Sequence, residues 1–519
     1  MKSMVSINYP NYQRKNASFY FTMDTDEYTL AHSHRSLDMK VFFILQLGYF
    51  KAKRMFFSFT NNEITEDLEF IKNKYFPSES ISYTFNIVKS TRWYQQQKIL
   101  SLLSYHVFDA NWKERLHERA SRCVKISARP VYMFKDLLDY LEKAKVVLPA
   151  YSTMQKIISK AIIEERERLT ALAMQHITKD VETTRQEFLT LDDSSYILTL
   201  LKKEPKDFSH NQISREITKQ KRLKPIYDFA KGFLPILEVS DDNIKYYAVF
   251  VEYYSIFSIR WFNNLLAYIY LICFVYHRYQ QINDNLTNTF IYHVRKYEAA
   301  AKLASKTSIY ELKMESNQQL GNTGKILDLF VDGKISDETP FGEVRQLAFS
   351  LLPKNKFPMV TTYVSKTGFD QAELEWKASE ELAPTFKKNI RPILMSLDFA
   401  STSKKDSLID AVSFLKLKIE EKKAFSGVVP DLFPKDFINR KLRRYIIKNK
   451  KDKVHGSSRK FTEIRTNRYE FLVYSLLRQR LYSGDVYICD SLRFRSFEDD
   501  LIDDKQWQNK AQLIQDLNL

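Results

Sequence analysis

Basic and amide side chains near the starts of predicted helices are the residues of this chain whose chemistry is easiest to interpret. They fall in three segments, residues 34–54, 91–100 and 129–156. Arg and Lys bind phosphate oxygens and guanine, and Gln binds the edge of adenine. These residue types suit contacts with DNA, and which of the three segments enters the major groove stays open. The candidate contact residues are Arg35, Lys53, Arg54, Arg92, Gln96, Lys98, Ser152, Gln155 and Lys156.

A strongly basic stretch later in the sequence is a further candidate for DNA binding. Residues 435–480 contain 15 Lys and Arg against 4 Asp and Glu, a net charge of +11. The densest part, residues 448–460, is predicted to be a loop. It is either a solvated, mobile loop or a clamp that binds the DNA backbone without sequence preference. The residues proposed for the clamp are Lys450, Lys451, Arg459 and Lys460.

The composition restricts the partners that the protein can have. The chain of 519 residues carries a formal net charge of +17, which favours nucleic acid or an anionic membrane surface. A solvated helix surface is the competing interpretation for each basic segment taken alone, but three in one basic chain favour DNA. The apolar run of residues 265–276 is shorter than the ~20 residues of a membrane-spanning helix. It predicts a buried core helix, and we expect no membrane partner.

Signatures of catalysis and metal binding are missing from the sequence. No G-x-x-x-x-G-K-[ST], G-x-S-x-G or H-E-x-x-H motif occurs, and the nine histidines show no metal-ligand spacing. Cys123, Cys273 and Cys489 form no C-x-x-C pair, so neither a disulfide framework nor a zinc knuckle is indicated. Asp284 is either a functional acid or, as is commoner, a helix-end cap. We expect no catalytic residue, metal or cofactor on this chain.

The elements that must position these residues are predicted to be helices. Only 10 glycines and 14 prolines occur, and a sheet-rich protein needs more turn residues. Capping-box spacing at residues 152–155 predicts a helix start near Thr153, and residues 209–212 show the same signature. The expected fold is mainly α, with multi-domain helical bundles, helix-turn-helix-like DNA-binding modules and little β-structure. The predicted domains are a helical DNA-binding module, a second helix-turn-helix-like module, a scaffold and dimerisation region, and a helical region with the basic loop, at residues 1–118, 119–200, 201–330 and 331–519.

Several motifs carry a resemblance to a known family. Residues 478–501 begin with an Arg-x-Arg-Leu-Tyr-Ser-Gly-Asp run and contain Glu498 and Asp500 near their end. This block resembles, nearly position for position, one in the Tn-three family of bacterial replicative transposases. The likeness covers most of the chain, and the earlier matches to the family are His34, Arg35, Phe42, Gln46, Leu47, Gly48, Tyr49, Thr91, Arg92, Ile99, Pro149, Tyr151 and Ser152.

The resemblance implies a role in DNA transposition. In that family the corresponding half is helical, recognises the terminal inverted repeats of the transposon and helps to form a dimeric transpososome. The family cuts DNA with a DDE acid triad on an RNase H-like domain, which would use Mg²⁺. Residues 393–399 and 485–490 invite that interpretation, but neither is followed by strand–helix alternation, and only 29 residues follow Asp490.

We therefore expect the N-terminal, DNA-binding half of a Tn-three transposase, without the catalytic domain and unable to cleave alone. Its partner would be double-stranded DNA, namely the terminal inverted repeats of the transposon, with the chain acting as a homodimer in the bacterial cytoplasm at the nucleoid. One alternative is a segment of an active DDE transposase whose catalytic part lies on another or longer polypeptide. Another is a degenerate product or a module that titrates the intact transposase.

Overall fold

The protein is mainly α-helical, as the sequence predicts. The structure, a computed structural model, describes residues 19–56, 58–59, 61–79, 87–176, 191–192, 195–261, 264–365, 369–421, 433–454 and 457–500. Residues 1–18 and 501–519, which belong to the first and last predicted domains, lie outside this range. The helices of the described ranges are α1 (Thr25–His32), α2 (Leu37–Lys53), α3 (Asn61–Tyr75), α4 (Lys89–Leu103), α5 (Ala110–Ile126), α6 (Pro130–Lys143), α7 (Tyr151–His176), α8 (Ile197–Lys202), α9 (His210–Ile236), α10 (Asp241–Tyr253), α11 (Ile256–Trp261), α12 (Asn264–Asp328), α13 (Phe341–Leu351), α14 (Phe357–Ser365), α15 (Gln371–Glu381), α16 (Ala383–Ser396), α17 (Ser407–Glu420), α18 (Arg440–Ile446) and α19 (Thr466–Ser483).

The strands of the described residues form three antiparallel pairs of two strands each. The predicted loop at residues 448–460 is wrong, because this stretch lies in two eight-residue strands. Their backbone groups bond to each other along the whole ladder, which outweighs the low strand propensity of Lys and Asn. The pairs are β1 (Leu191–Asp192) with β2 (Ser195–Tyr196), β3 (Phe399–Ser401) with β6 (Val486–Ile488), and β4 (Ile447–Val454) with β5 (Ser457–Ile464).

The chain divides into two compact units, and each unit is assembled from two separate stretches. The first unit comprises Met1–Glu182 and Gly232–Phe274, and the second comprises Thr183–Lys231 and Val275–Leu519. The four contiguous domains expected from the sequence stay a prediction. Among the described helices, none combines the length and the apolar character that crossing a membrane requires.

Helix α2 forms the centre of the first core. Every residue from Val41 to Phe50 is buried, so this stretch is enclosed on all sides, as expected of a helix that is apolar all round. The polar motif residues within it bond inside the core. Gln46 Nε2 donates to Gln95 Oε1 at 2.9 Å, and the Tyr49 hydroxyl donates to Asp67 at 2.6 Å. The family-like motif around Gln46 and Tyr49 therefore builds the core of this unit.

Helices α5, α6 and α7 pack against one another in the same unit. Leu116 on α5, Leu137 on α6 and Ile157 on α7 are among the buried apolar residues at their packed faces. Helix α7 begins at Tyr151, two residues before the predicted start. The reason is that the Ala150 carbonyl accepts the N–H groups of Thr153 and Met154, so Ser152 lies inside the first turn instead of capping it.

The second unit is organised around α19 and the long helix α12. Phe386 on α16 and Tyr474 on α19 are buried and meet edge to face, with ring centroids 6.1 Å apart. Helix α19 ends at Gly484, which adopts the left-handed conformation with φ of 80°. Residues that follow this cap enter β6. Residues 267–275 of the predicted apolar run 265–276 are buried within α12, as expected for a core helix, and this start of α12 up to Phe274 belongs to the first unit.

Candidate nucleic-acid interface

The first group of predicted contact residues gathers around the start of α2. Arg35 is exposed in the turn that leads into this helix, and the Gln95 side chain of α4 donates to the Met39 carbonyl at 2.9 Å. Helix α4 therefore lies beside the start of α2. Burial, and then the charges of Lys98 and Lys40, lower the pKa of His34, which indicates that Lys98 lies near this turn.

Two side chains of α4 are held by aromatic rings. The Arg92 guanidinium lies over the Phe42 ring at 5.4 Å, and the Lys98 ammonium lies over the Tyr94 ring at 4.9 Å. Such cation–π contacts leave a cation partly at the surface while restricting its position. Gln96 is half-buried beside them. Arg92, Gln96 and Lys98 thus lie on α4. Arg35 lies just before α2, the helix beside which α4 is packed.

The second group lies at the other end of α2. This helix has 17 residues, so its two ends are about 25 Å apart. Lys53 closes it, and burial lowers the pKa of the Lys53 ammonium. Arg54 adopts the left-handed conformation with φ of 54°, and its guanidinium lies 5.7 Å from the centre of the Tyr105 ring. The Arg54 carbonyl accepts the Leu148 N–H at 2.9 Å, which brings this basic end beside the segment that leads into α7.

Helix α7 presents a polar face in its first turns. Ser152, Gln155 and Lys156 are all exposed, whereas the neighbouring Met154 and Ile157 are buried. Residues three and four apart lie on one side of a helix, so these exposed side chains form a single stripe. A hydroxyl, an amide and an ammonium on the early turns of one helix are the groups that bind phosphates and base edges.

The α7 stripe contains two residues that the sequence reasoning missed. Ser159 and Lys160 follow Gln155 and Lys156 by four positions and are also exposed. Extending the helical period by one turn would have found them. Glu164 ends the basic part of the stripe, since it pairs with Lys160 at 3.6 Å and with His117 at 3.1 Å.

The basic β4–β5 ribbon distributes the remaining predicted residues over two faces. Lys451 pairs with Lys460 in the register, while Lys450 pairs with Phe461 and Arg459 with Asp452. Alternate residues of a strand lie on opposite faces, so Lys451 and Lys460 share one face, and Lys450 and Arg459 share the other.

The acid-bearing stretches considered for catalysis come together in the second unit. Strand β3 follows Asp398, strand β6 precedes Asp490, and the two strands are paired. Asp490 binds Lys231 at 2.7 Å, and Asp398 lies 3.7 Å from Lys416. Within the described part of the chain, no group of three or more His, Cys, Asp or Glu side chains is arranged to hold a metal ion.

Asp284 is a buried structural acid, and the helix-end cap expected for it is wrong. It lies well inside the 65-residue helix α12 and accepts the Ser491 hydroxyl and the N–H groups of Leu492 and Arg493. Burial raises the pKa of this carboxyl, and the three hydrogen bonds oppose that shift. Asp284 therefore ties the loop after β6 to α12, which sequence spacing alone did not indicate.

Comparisons with known proteins find similarity to one family domain and to bacterial transposases. Residues 5–161 match a domain of unknown function, DUF4158. The chain is 20% identical over 503 residues to the transposase for transposon Tn1546 of Enterococcus faecium, covering 94% of this chain and 48% of that protein. It is 22% identical over 431 residues to the transposase for transposon Tn2501 of Escherichia coli, covering 80% of this chain and 40% of that protein.

The chain thus spans about half the length of the curated relatives it matches. Both of these relatives are transposases.

Proposed function

We propose that the protein binds the terminal inverted repeats of a transposon, as the DNA-binding part of a Tn-three family transposase. The observation that carries this proposal is the exposed stripe of Ser152, Gln155 and Lys156 at the start of α7. The stripe stands on a packed three-helix arrangement, and the basic end of α2 lies beside it through the Arg54–Leu148 hydrogen bond. A helix that presents polar side chains from its early turns is the usual reader of the major groove.

The proposal distinguishes contacts with base edges from contacts with phosphates. Gln155 reads a base edge, and Lys156 and Lys160 bind phosphates that fix the register of the helix. Arg35, Arg92, Gln96 and Lys98 form a second contact region, and the turn after α2 with Lys53 and Arg54 supports α7. The chain acts as a homodimer and does not cut DNA alone. The chemistry of cleavage would come from a catalytic part on another or longer polypeptide.

The α7 stripe gives the direct test. Replacing Gln155 by Ala is expected to reduce the preference for the inverted repeat over scrambled DNA by about 1–3 kcal/mol, because a bidentate base contact is lost. Replacing Lys156 by Ala is expected to weaken binding to both DNAs alike, because a phosphate contact carries no sequence information. Gel-shift titrations with the two duplexes measure both effects.

A matched control is available on the same helix. Gln175 is also an exposed glutamine of α7, about 30 Å further along, so Gln175→Ala should leave both affinities unchanged. Equal affinity of the unaltered protein for repeat and scrambled DNA would exclude specific recognition. If Mg²⁺ is added to the same samples, the bound repeat should remain uncut. Strand cleavage by this chain alone would refute the division of labour.

The β4–β5 ribbon is proposed to bind the DNA backbone through the face that holds Lys451 and Lys460. Replacing both by Ala is expected to lower the slope of log affinity against log salt by about 1.8, since each phosphate contact contributes about 0.9. The matched control is the double variant Lys450→Ala with Arg459→Ala. It should change the slope less, because Arg459 is opposite Asp452 in the register. Titrations at several salt concentrations with a scrambled duplex provide the slopes.

Both double variants remove two positive charges, so a general effect of net charge would lower the two slopes equally. Equal lowering would therefore contradict a specific contact through the face that holds Lys451 and Lys460. Unchanged slopes in both variants would exclude the clamp and leave a solvated ribbon.

A further inference from the structure

A groove in the second unit runs along α12, and its lining contains none of the residues predicted to bind DNA. Its volume is about 900 Å³, within the range of sites that bind small ligands. Successive turns of α12 contribute one wall, and the segment before α9 and the loop after β6 contribute the others. The lining residues that matter here are Asn285, Asn288, Tyr292, Arg295, Lys296 and Arg493.

The groove is positively charged. Arg295, Lys296 and Arg493 are exposed cations of its lining. The acidic residue in the lining, Glu204, forms an ion pair with the buried Arg278 and accepts a hydrogen bond from Asn285. Its charge is therefore compensated within the protein. The excess of cations favours an anionic ligand.

An aromatic surface accompanies these cations. The rings of Phe208 and Tyr292 are stacked with centroids 4.4 Å apart and planes inclined by 25°. Each side chain remains 41% exposed, so the pair presents ring surface to the groove instead of closing it. Exposed aromatic rings beside cations are the combination with which proteins bind unpaired nucleotides.

The walls of the groove are held by three buried side chains of α12. Arg278 donates to the carbonyls of Leu201 and Lys203 at 2.9 and 2.8 Å. His293 donates to the Phe208 carbonyl at 2.8 Å. Asp284 accepts the backbone N–H groups of Leu492 and Arg493. Each surrounding segment is thus tied to the same helix. A groove that is already formed loses little freedom when it binds.

We infer that this groove binds a short stretch of unpaired DNA. Its phosphates would contact Arg295, Lys296 and Arg493, one base would stack on Tyr292, and the amide of Asn288 would bond to a base edge. In a duplex the bases are already stacked and paired, so the ring of Tyr292 is useful only to unpaired ones. The inference rests on the proposed function only in taking DNA as the partner, and it adds a second site with a different substrate form.

Fluorescence anisotropy with a labelled single strand of about 12 nucleotides tests the inference. Tyr292→Ala is expected to weaken single-strand binding about tenfold, and Tyr292→Phe, which keeps the ring, should bind nearly as well as the unaltered protein. Arg295→Gln with Lys296→Gln should lower the salt slope by about 1.4, because single-strand contacts contribute about 0.7 each. Duplex binding should respond little to Tyr292→Ala.

The same helix supplies the control. Tyr310 is an exposed tyrosine of α12 outside the groove lining, so Tyr310→Ala should leave single-strand affinity unchanged. Equal losses in the Tyr292 and Tyr310 variants, or none in either, would overturn the inference. Specific duplex binding without Tyr292-dependent single-strand binding would refute this site and leave the proposed function intact. Tyr292-dependent single-strand binding without preference for the repeat would support this site and refute the proposed recognition of the inverted repeats.

Discussion

Replacing Glu470 by Ala is expected to lower the free energy of unfolding of the second unit by about 3–5 kcal/mol. Glu470 is fully buried on α19 and accepts two hydrogen bonds from Arg391, at 2.7 and 2.8 Å. The Tyr474 hydroxyl donates to the same carboxylate at 2.6 Å, and the Lys387 ammonium lies 3.5 Å away. Without the carboxylate, these groups lose their buried partner, and two positive charges face each other. Urea unfolding followed by circular dichroism measures the loss.

A control variant and a double variant test whether the loss comes from the buried charges. Glu381 is an exposed acid at the end of α15, so Glu381→Ala should change stability by no more than about 0.5 kcal/mol. Glu470→Leu combined with Arg391→Met should cost less than Glu470→Ala, because it also removes one of the two cations that would lose the carboxylate. If Glu470→Ala is no more destabilising than Glu381→Ala, the buried network does not support α19 as described.

Replacing Gly48 by Ala is expected to destabilise the first unit by about 2 kcal/mol, even though Ala favours a helix over Gly by about 1 kcal/mol. A Cβ atom at this position would lie 2.2 Å from Cδ1 and 2.3 Å from Cε1 of Phe21. Phe21 is itself buried, and it contacts the Tyr49 ring edge to face, so it has no free space to move into. Hydrogen exchange of the α2 amide groups reports the local stability.

A second helical glycine provides a control of opposite sign. A Cβ atom at Gly232 in α9 would meet no atom within 4 Å, so Gly232→Ala should stabilise its helix by up to about 1 kcal/mol. Adding Phe21→Leu to Gly48→Ala should recover part of the loss, because the smaller side chain makes room. Stabilisation by Gly48→Ala alone would show that Phe21 moves without cost.

The family-like motifs were found in the sequence, but their physical roles were not. The Gln46 to Tyr49 motif lies among basic residues and was grouped with the DNA-binding segments, yet it is buried and bonds to Gln95 and Asp67. Nothing in a linear pattern tells a buried amide from an exposed one when the surrounding helix is apolar on all sides. Asp284 is similar, since its partners, Ser491 to Arg493, are about 200 positions away.

The predicted loop of residues 448–460 shows the limit of propensity. Lys and Asn favour loops, but the pairing of β4 with β5 satisfies the backbone groups of both strands, and residue propensities do not express that gain. The pairing changes which basic residues can contact the same ligand. Four basic residues that would act as one group on a loop are divided between two faces of a ribbon.

The sequence by itself determined that the protein is mainly helical and strongly basic, because composition and helical periodicity are local or summed properties of the chain. Its resemblance to the Tn-three transposases rests on individual motif residues. It also identified the start of α7 as a polar helix face. Only the tertiary structure decided that Arg54 lies beside the entry to α7, that Asp284 holds the loop after β6, and that α12 lines a basic groove. Each of these depends on contacts between residues far apart in the chain, and such contacts exist only after the helices have packed.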